Sequence, residues 1–243
     1  MCGRFAQPRS SEELARIFGA SAAASITGDR FNVAPTDEVA AIVEHHAERT
    51  VDAFRWGLVP IWSRSPKEGP RMINARAETI ESSSAYRTSF RRYRCIVPAD
   101  AFYEWHREWA PGAKRPTRSD PFAIRRRDGD LLAFAGLWAI WRDPQTAARL
   151  YSCTVITTVA NEVVAPVHDR MPVILPRTAW DAWLDEEASA EQLRSLLRPA
   201  PAEDLERYAV SPAVNNVRSE GAELLLPLTR WTDVTPAPDP VDA

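Results

Sequence analysis

Cys2 stands directly behind Met1 and ahead of Gly3. Removal of an initiator Met before so small a side chain leaves a residue that carries both a free α-amine and a thiol, a 1,2-aminothiol. The amine titrates near about 8 and the thiol near about 8.5, so both are expected to be partly active at neutral pH without large tuning. With an aldehyde the amine forms an imine, and the thiol then closes a five-membered thiazolidine. A cysteine beside a start codon can equally be inert, so the other reactive residues of the chain carry the decision.

Glu104 lies in Ala101-Phe102-Tyr103-Glu104-Trp105, an aromatic, apolar stretch where a charge is costly. A carboxyl pushed toward neutrality there can protonate a leaving oxygen near pH 7, or it can partner a buried arginine. His106, two residues on, shares its strand face. In Asn74-Ala75-Arg76-Ala77-Glu78 two-residue alternation places Asn74, Arg76 and Glu78 on one face, pairing a neutral amide with a guanidinium suited to phosphate, unless this is simply a sheet edge. His168, in Val167-His168-Asp169-Arg170, is a titratable imidazole in a loop, whereas His45 and His46 read as surface residues. Of the nine tryptophans most must be structural; Trp62, beside the loop after Pro60, is the one expected to stack an unpaired base, worth about 1–3 kcal/mol.

These residues are scattered from Cys2 to His168, so the fold has to assemble them. Ser10 and Glu13 form a capping box that opens a helix ending near Gly19. Phe31 to Thr36 reads as a loop, because Ala34 precedes a proline. Glu38–His45 and Arg49–Trp56 read as paired strands across a short polar turn, with further strands at Cys95–Val97, Ala101–His106, Pro121–Arg126, Leu132–Trp141 and Tyr151–Thr157. Ser83–Phe90, Thr178–Leu184, Ser189–Leu197 and a short piece from Asn161 read as helical. Strands dominate without alternating with helices, and there is no Gly-rich phosphate loop. This favours an α+β single domain with mostly antiparallel sheet over a doubly wound fold. The domain is expected over residues 2–231, with 232–243, rich in proline, as a disordered tail.

Among 243 residues, 45% hydrophobic and 26% charged composition is ordinary for a globular protein. The three cysteines show no paired or zinc-like spacing, so neither a disulfide framework nor a metal is expected. No apolar run or signal pattern is seen, which points to the cytoplasm. Net charge is -3, so the whole is not a basic nucleic-acid binder. Positive charge is nevertheless local: four arginines and no acid from Arg87 to Arg94, and six basic residues from Lys114 to Arg127, against eight acids between Asp181 and Glu206. A polyanion can dock on the first half, or the arginines reflect codon usage alone.

Taken in order, Met1-Cys2-Gly3-Arg4-Phe5, Phe31–Pro35, Arg55–Pro60, Asn74–Glu78, Cys95–Trp105, Gly136-Leu137-Trp138 and His168–Pro172 resemble the SRAP (SOS-response-associated peptidase) family, from Cys2 to about Leu226. The resemblance implies a barrel-like core with flanking helices. It implies a protein that senses abasic sites in single-stranded DNA and crosslinks to them through Cys2, with associated AP lyase and self-processing peptidase activity. Cys2, Asn74, Glu104 and His168 would be catalytic, and Arg4, Trp62 and Arg76 would contact DNA. No cofactor or metal is implied. The expected state is a monomer, nucleoid-associated when bound to DNA. The segment from His106 to Ser119 departs from the family as a variable loop. The rival from another class is an N-terminal-nucleophile thiol hydrolase or peptidase not acting on DNA, which also starts at a cysteine and uses its α-amine as base. A passive DNA-binding module would leave Glu104 and His168 without a task.

Overall fold

The computed structural model describes residues 2–24, 26, 28–110 and 112–228. The chain enters through strand β1 (Phe5–Gln7) and helix α1 (Ser11–Phe18). This helix carries the expected capping box: Ser10 Oγ accepts from the Glu13 amide and the Glu13 carboxylate accepts from the Ser10 amide. Gly19 ends it at φ 63°, a conformation that a residue without Cβ takes at no steric cost. β2 (Ser21–Ala22) and β3 (Arg30–Val33) precede the hairpin of β4 (Glu38–His45) and β5 (Glu48–Trp56). β6 (Asn74–Arg76) and α2 (Arg87–Arg92) lead to the long strands β7 (Arg94–Ala99), β8 (Ala101–Glu108), β9 (Arg118–Arg126), β10 (Leu132–Arg142) and β11 (Arg149–Val159). β12 (Arg170–Pro172), α3 (Trp180–Leu184), α4 (Ala190–Leu196) and β13 (Leu205–Ala209) complete the set.

β5, β4, β7, β10 and β11 pair in that order, each antiparallel to the next. A parallel contact between β11 and β5, with Ser152 opposite Arg55 and Cys153 opposite Trp56, closes them into a five-stranded barrel. Closure removes the exposed edges that an open sheet would leave. A second sheet runs β13-β9-β8-β1-β3. Alternation along each strand then feeds two cores. Val39, Ala41 and Val43 of β4 share a core with Phe5, Phe102, Ile124 and Leu205 of the second sheet. Ala40 and Ile42 share another with Leu14 of α1, Phe90 of α2, Trp183 of α3 and Leu193 of α4. The outward residues Ala6, Tyr103 and Ala123 of the second sheet are covered by Val210, Val214 and Leu224. The architecture is α+β, a single domain of mostly antiparallel sheets with a barrel-like core and flanking helices.

Four readings change. Phe31–Val33 is strand rather than loop, since β1 supplies a partner (Phe5 opposite Val33) that lies outside any local window. The turn is confined to residues after Val33, where the Asp37 carboxylate accepts from the Ala34 amide at 3.0 Å. The helix expected over Ser83–Phe90 begins only at Arg87, after turns whose amides bond back to Ser83. At Asn161 the chain makes turns without a helix: Asn161 Oδ1 caps the Val163 and Val164 amides, and Pro166 stops propagation. Both ends of the expected 106–119 loop are strand, as β8 runs to Glu108 and β9 starts at Arg118. The tail from Thr232 and the domain boundary at 231 lie outside the described residues. No helix among the described residues is long and apolar enough to cross a membrane.

Candidate active site at the amino terminus

Strand pairing brings Cys2 to Glu104. β1 runs antiparallel to β8, with Phe5 opposite Phe102, and the Tyr103 amide donates to the Arg4 carbonyl at 2.9 Å. Residues 2 and 3 therefore continue alongside Glu104 and Trp105, just before β1 begins at Phe5. Cys2 is fully buried and belongs to the core that holds Trp56, Cys153 and Val155. Its neighbour from the barrel is Asn74. β6 lies parallel to β11 with Asn74 opposite Val155, and Asn74 Nδ2 donates to the Cys2 carbonyl at 2.7 Å. The Trp56 indole donates to the Ile73 carbonyl at 2.9 Å and the Tyr86 hydroxyl to the Asn74 carbonyl at 3.3 Å, which fixes the strand on both sides. Asn74 Oδ1 is buried without a hydrogen-bond partner among the described residues, an acceptor held in reserve next to Cys2.

Glu104 is 2% exposed. Burial pushes its carboxyl up to about 7, with the Arg107 guanidinium pulling the other way. Among the described residues no metal-ligating cluster forms around it. The expectation that the Cys2 thiol is partly active at neutral pH without large tuning is overturned. Burial, and then the nearby Glu104 charge, push that thiol far above its ordinary value, so it is neutral in the folded chain. Cys95 and Cys153 are likewise buried free thiols raised by desolvation.

His168 is positioned by the turns after Asn161 and by β12. Its Nδ1 accepts from the Arg170 amide at 2.9 Å. The Asp169 carboxylate also lies 2.9 Å from Nδ1. Burial lowers the imidazole below its ordinary value, while the Asp169 charge raises it. Arg107 acts electrostatically on both His168 and Glu104. Arg170 itself is tied by a two-pronged pair to Glu78 at 2.7 and 2.8 Å and by a bond to the Thr157 carbonyl at 2.7 Å. Glu78 thus leaves the face it was expected to share with Asn74 and Arg76, because the strand ends at Arg76 and the chain turns.

The three expected DNA contacts diverge. Arg4 lines a mouth of about 310 Å³ with Gly3, Glu104, Trp105, Arg107, Ser119 and Asn215. Its Nη1 donates to Asn32 Oδ1 at 2.7 Å and to the Val214 carbonyl at 2.9 Å, so much of its guanidinium holds the fold. Arg76 is exposed at the end of β6. Trp62 is 55% exposed but lines a different cleft, of about 410 Å³, with Tyr93 and Trp138. Of the arginine-rich run, Arg94 is buried: it donates to the carbonyls of Phe90, Arg91, Trp183 and Asp185 and is unavailable to any ligand. His106 ends up at the exposed end of β8, in a shallow cleft with Arg118 and Asp120. Three residues of the mouth escaped the sequence reading, Arg107, Ser119 and Asn215; the first two fell in the presumed loop, where continued alternation beyond Trp105 was the available signal.

Comparison with known proteins shows the family and the fold. The model of the SOS response associated peptidase (SRAP) family matches residues 1–217. Abasic site processing protein YoqW of Bacillus subtilis is 40% identical over 196 residues, which are 80% of this chain and 84% of the relative. Abasic site processing protein YedK of Escherichia coli is 30% identical over 235 residues, 94% of this chain and 100% of the relative. A crystal structure of a Bacteroides thetaiotaomicron protein superposes with a TM-score of 0.82 at 24% identity, covering 93% of this chain and 100% of that one, which establishes the fold. The chain belongs to the SOS response associated peptidase family.

Proposed function

We propose that this protein processes abasic sites in single-stranded DNA, and that Cys2, once Met1 is removed, crosslinks to the lesion through a thiazolidine. The observation that carries this reading is the arrangement around Cys2. Asn74 grips its carbonyl at 2.7 Å, and a buried carboxyl titrating near 7 lies within electrostatic reach of its thiol. The names of the relatives, abasic site processing proteins, support the substrate class.

Protonated Glu104 gives its proton to the ring oxygen of the closed sugar and takes the proton of the C1′ hydroxyl, so the ring opens to the aldehyde and the acid is restored. The Cys2 amine attacks the aldehyde carbon; Asn74 Oδ1 accepts from that amine while Asn74 Nδ2 holds the carbonyl. Water leaves, and an imine forms. The neutral Cys2 thiol then adds across the C=N bond. Glu104 gives its proton to the imine nitrogen and takes the thiol proton, so the C–S bond and the N–H form together and the acid is restored. His168 relays protons about the imine. An imine that does not close can instead expel the 3′ phosphate, giving AP lyase activity. Arg4 and Arg76 supply positive charge along the strand, and Trp62 a stacking face. A single strand suits the site, because the sugar must leave a regular helix to reach a buried terminus.

The test is incubation of Met1-free protein with an abasic single strand, followed by a denaturing gel. A heat-stable adduct is expected from the wild type and not from Cys2→Ala, nor from protein retaining Met1. Equal yields from wild type and Cys2→Ala would return the chain to the thiol-hydrolase class.

A further inference from the structure

We propose that Arg107 and Ser119 form the anion subsite of the active-site mouth and hold the phosphodiester beside the reacting sugar; this rests on the abasic-DNA reading above. The two residues face each other across β8 and β9, where Arg107 is in register with Ser119, and both line the mouth that Glu104 opens into. Arg107 is exposed, and among the described residues its guanidinium donates to no carboxylate or carbonyl. That sets it apart from its neighbours. Arg4 is engaged by Asn32 and Val214, and Arg118 is paired with Asp120 at 2.8 Å. A planar fork without a protein partner among the described residues, beside a hydroxyl donor, fits two oxygens of one phosphodiester.

Position adds a second argument. The charge of Arg107 is felt by both Glu104 and His168, so the guanidinium stands near both groups that would handle protons. A phosphate bound there lies against the sugar those groups act on, and a fixed phosphate fixes the sugar carbon presented to Cys2.

Equilibrium binding can be measured on a single strand carrying a tetrahydrofuran abasic analogue, which has no aldehyde and cannot crosslink, over a range of salt. Arg107→Gln should weaken binding roughly 10-fold or more. It should also flatten the salt dependence by about 0.7 in log–log slope, the value for one contact on a single strand. Arg107→Lys should restore the slope but not the full affinity, and Ser119→Ala should weaken binding with the slope kept. Arg16→Gln, on the exposed face of α1, should behave as wild type. Wild-type protein that crosslinks to an aldehyde-bearing abasic strand, while Arg107→Gln keeps both affinity and slope, overturns the subsite alone. Wild-type protein that neither binds nor crosslinks overturns the abasic reading and the subsite with it.

Discussion

Glu104 carries a cost with a measurable pH signature. Its ordinary value of 4.5 rises to about 7 on folding because the carboxylate loses water. Between those values the folded chain binds more protons than the unfolded one, so stability falls as pH rises from 4.5 to about 7 and stays lower above it. Glu104→Gln should therefore melt higher than wild type at pH 8, by on the order of 3 kcal/mol, with the advantage fading toward pH 4.5. The same residue shapes the reaction. The acid form is lost above about 7, whereas the Cys2 amine, ordinarily titrating at about 8, must be unprotonated. Crosslinking should peak between these values and decline on both sides. In single-turnover assays Glu104→Gln should be slower by about 10²-fold and lack the decline that its own titration causes. His168→Ala should reduce strand cleavage more than final crosslink yield, because the imidazole acts after the imine exists.

Among the elements, two junctions carry the site. Arg94 on β7 ties α2 and α3 together through four backbone carbonyls, and it is 3% exposed. Arg94→Ala should cost about 3–5 kcal/mol in denaturant unfolding, leaving buried acceptors unmet, while the salt slope of DNA binding stays that of wild type. Gly57 ends β5 at φ 119°, and an added Cβ would lie 2.5 Å from the Gly69 carbonyl oxygen. Gly57→Ala combines a left-handed backbone with a clash against main chain, and should lower both stability and crosslink yield, since the same segment fixes Ile73 next to Asn74. The hairpin of β4 and β5 was legible because apolar β-branched runs flank a polar turn, and α1 because Ser10 and Glu13 cap it. β3 and β13 were not, since each is held by a partner strand distant in sequence.

At the scale of the molecule, charge is segregated. The acid-rich stretch that includes α3 and α4 covers the core on one face of the barrel strands, while Cys2 and Glu104 lie toward the second sheet on the other. A net charge of -3 thus coexists with an arginine-lined approach to the mouth. Arg76→Ala should weaken non-covalent binding of single strands and lower the salt slope by about 0.7 with unchanged stability. Arg4→Ala should lower both binding and stability, because its guanidinium also joins β1 to Asn32 and Val214. A variant of either that keeps the wild-type salt slope would remove that arginine from the DNA path.

The sequence by itself determined the reactive residue types, the caps and hairpins whose signals are local, and the order of the motifs that mark the family. Short-range geometry is enough for those: a capping box spans three residues and a hairpin turn a few more. Tertiary structure alone decided which residues meet. Closure of β5 against β11 and the pairing of β1 with β8 bring Cys2, Asn74 and Glu104 together across 102 positions of chain. It also decided their ionisation. The thiol expected to be partly active at neutral pH is buried and raised, and the carboxyl of Glu104 is set at about 7, because desolvation depends on what surrounds a group in space. For the same reason Arg94, one of four arginines alike in sequence, became a buried brace, and Arg107, read as part of a loop, stands exposed at the mouth.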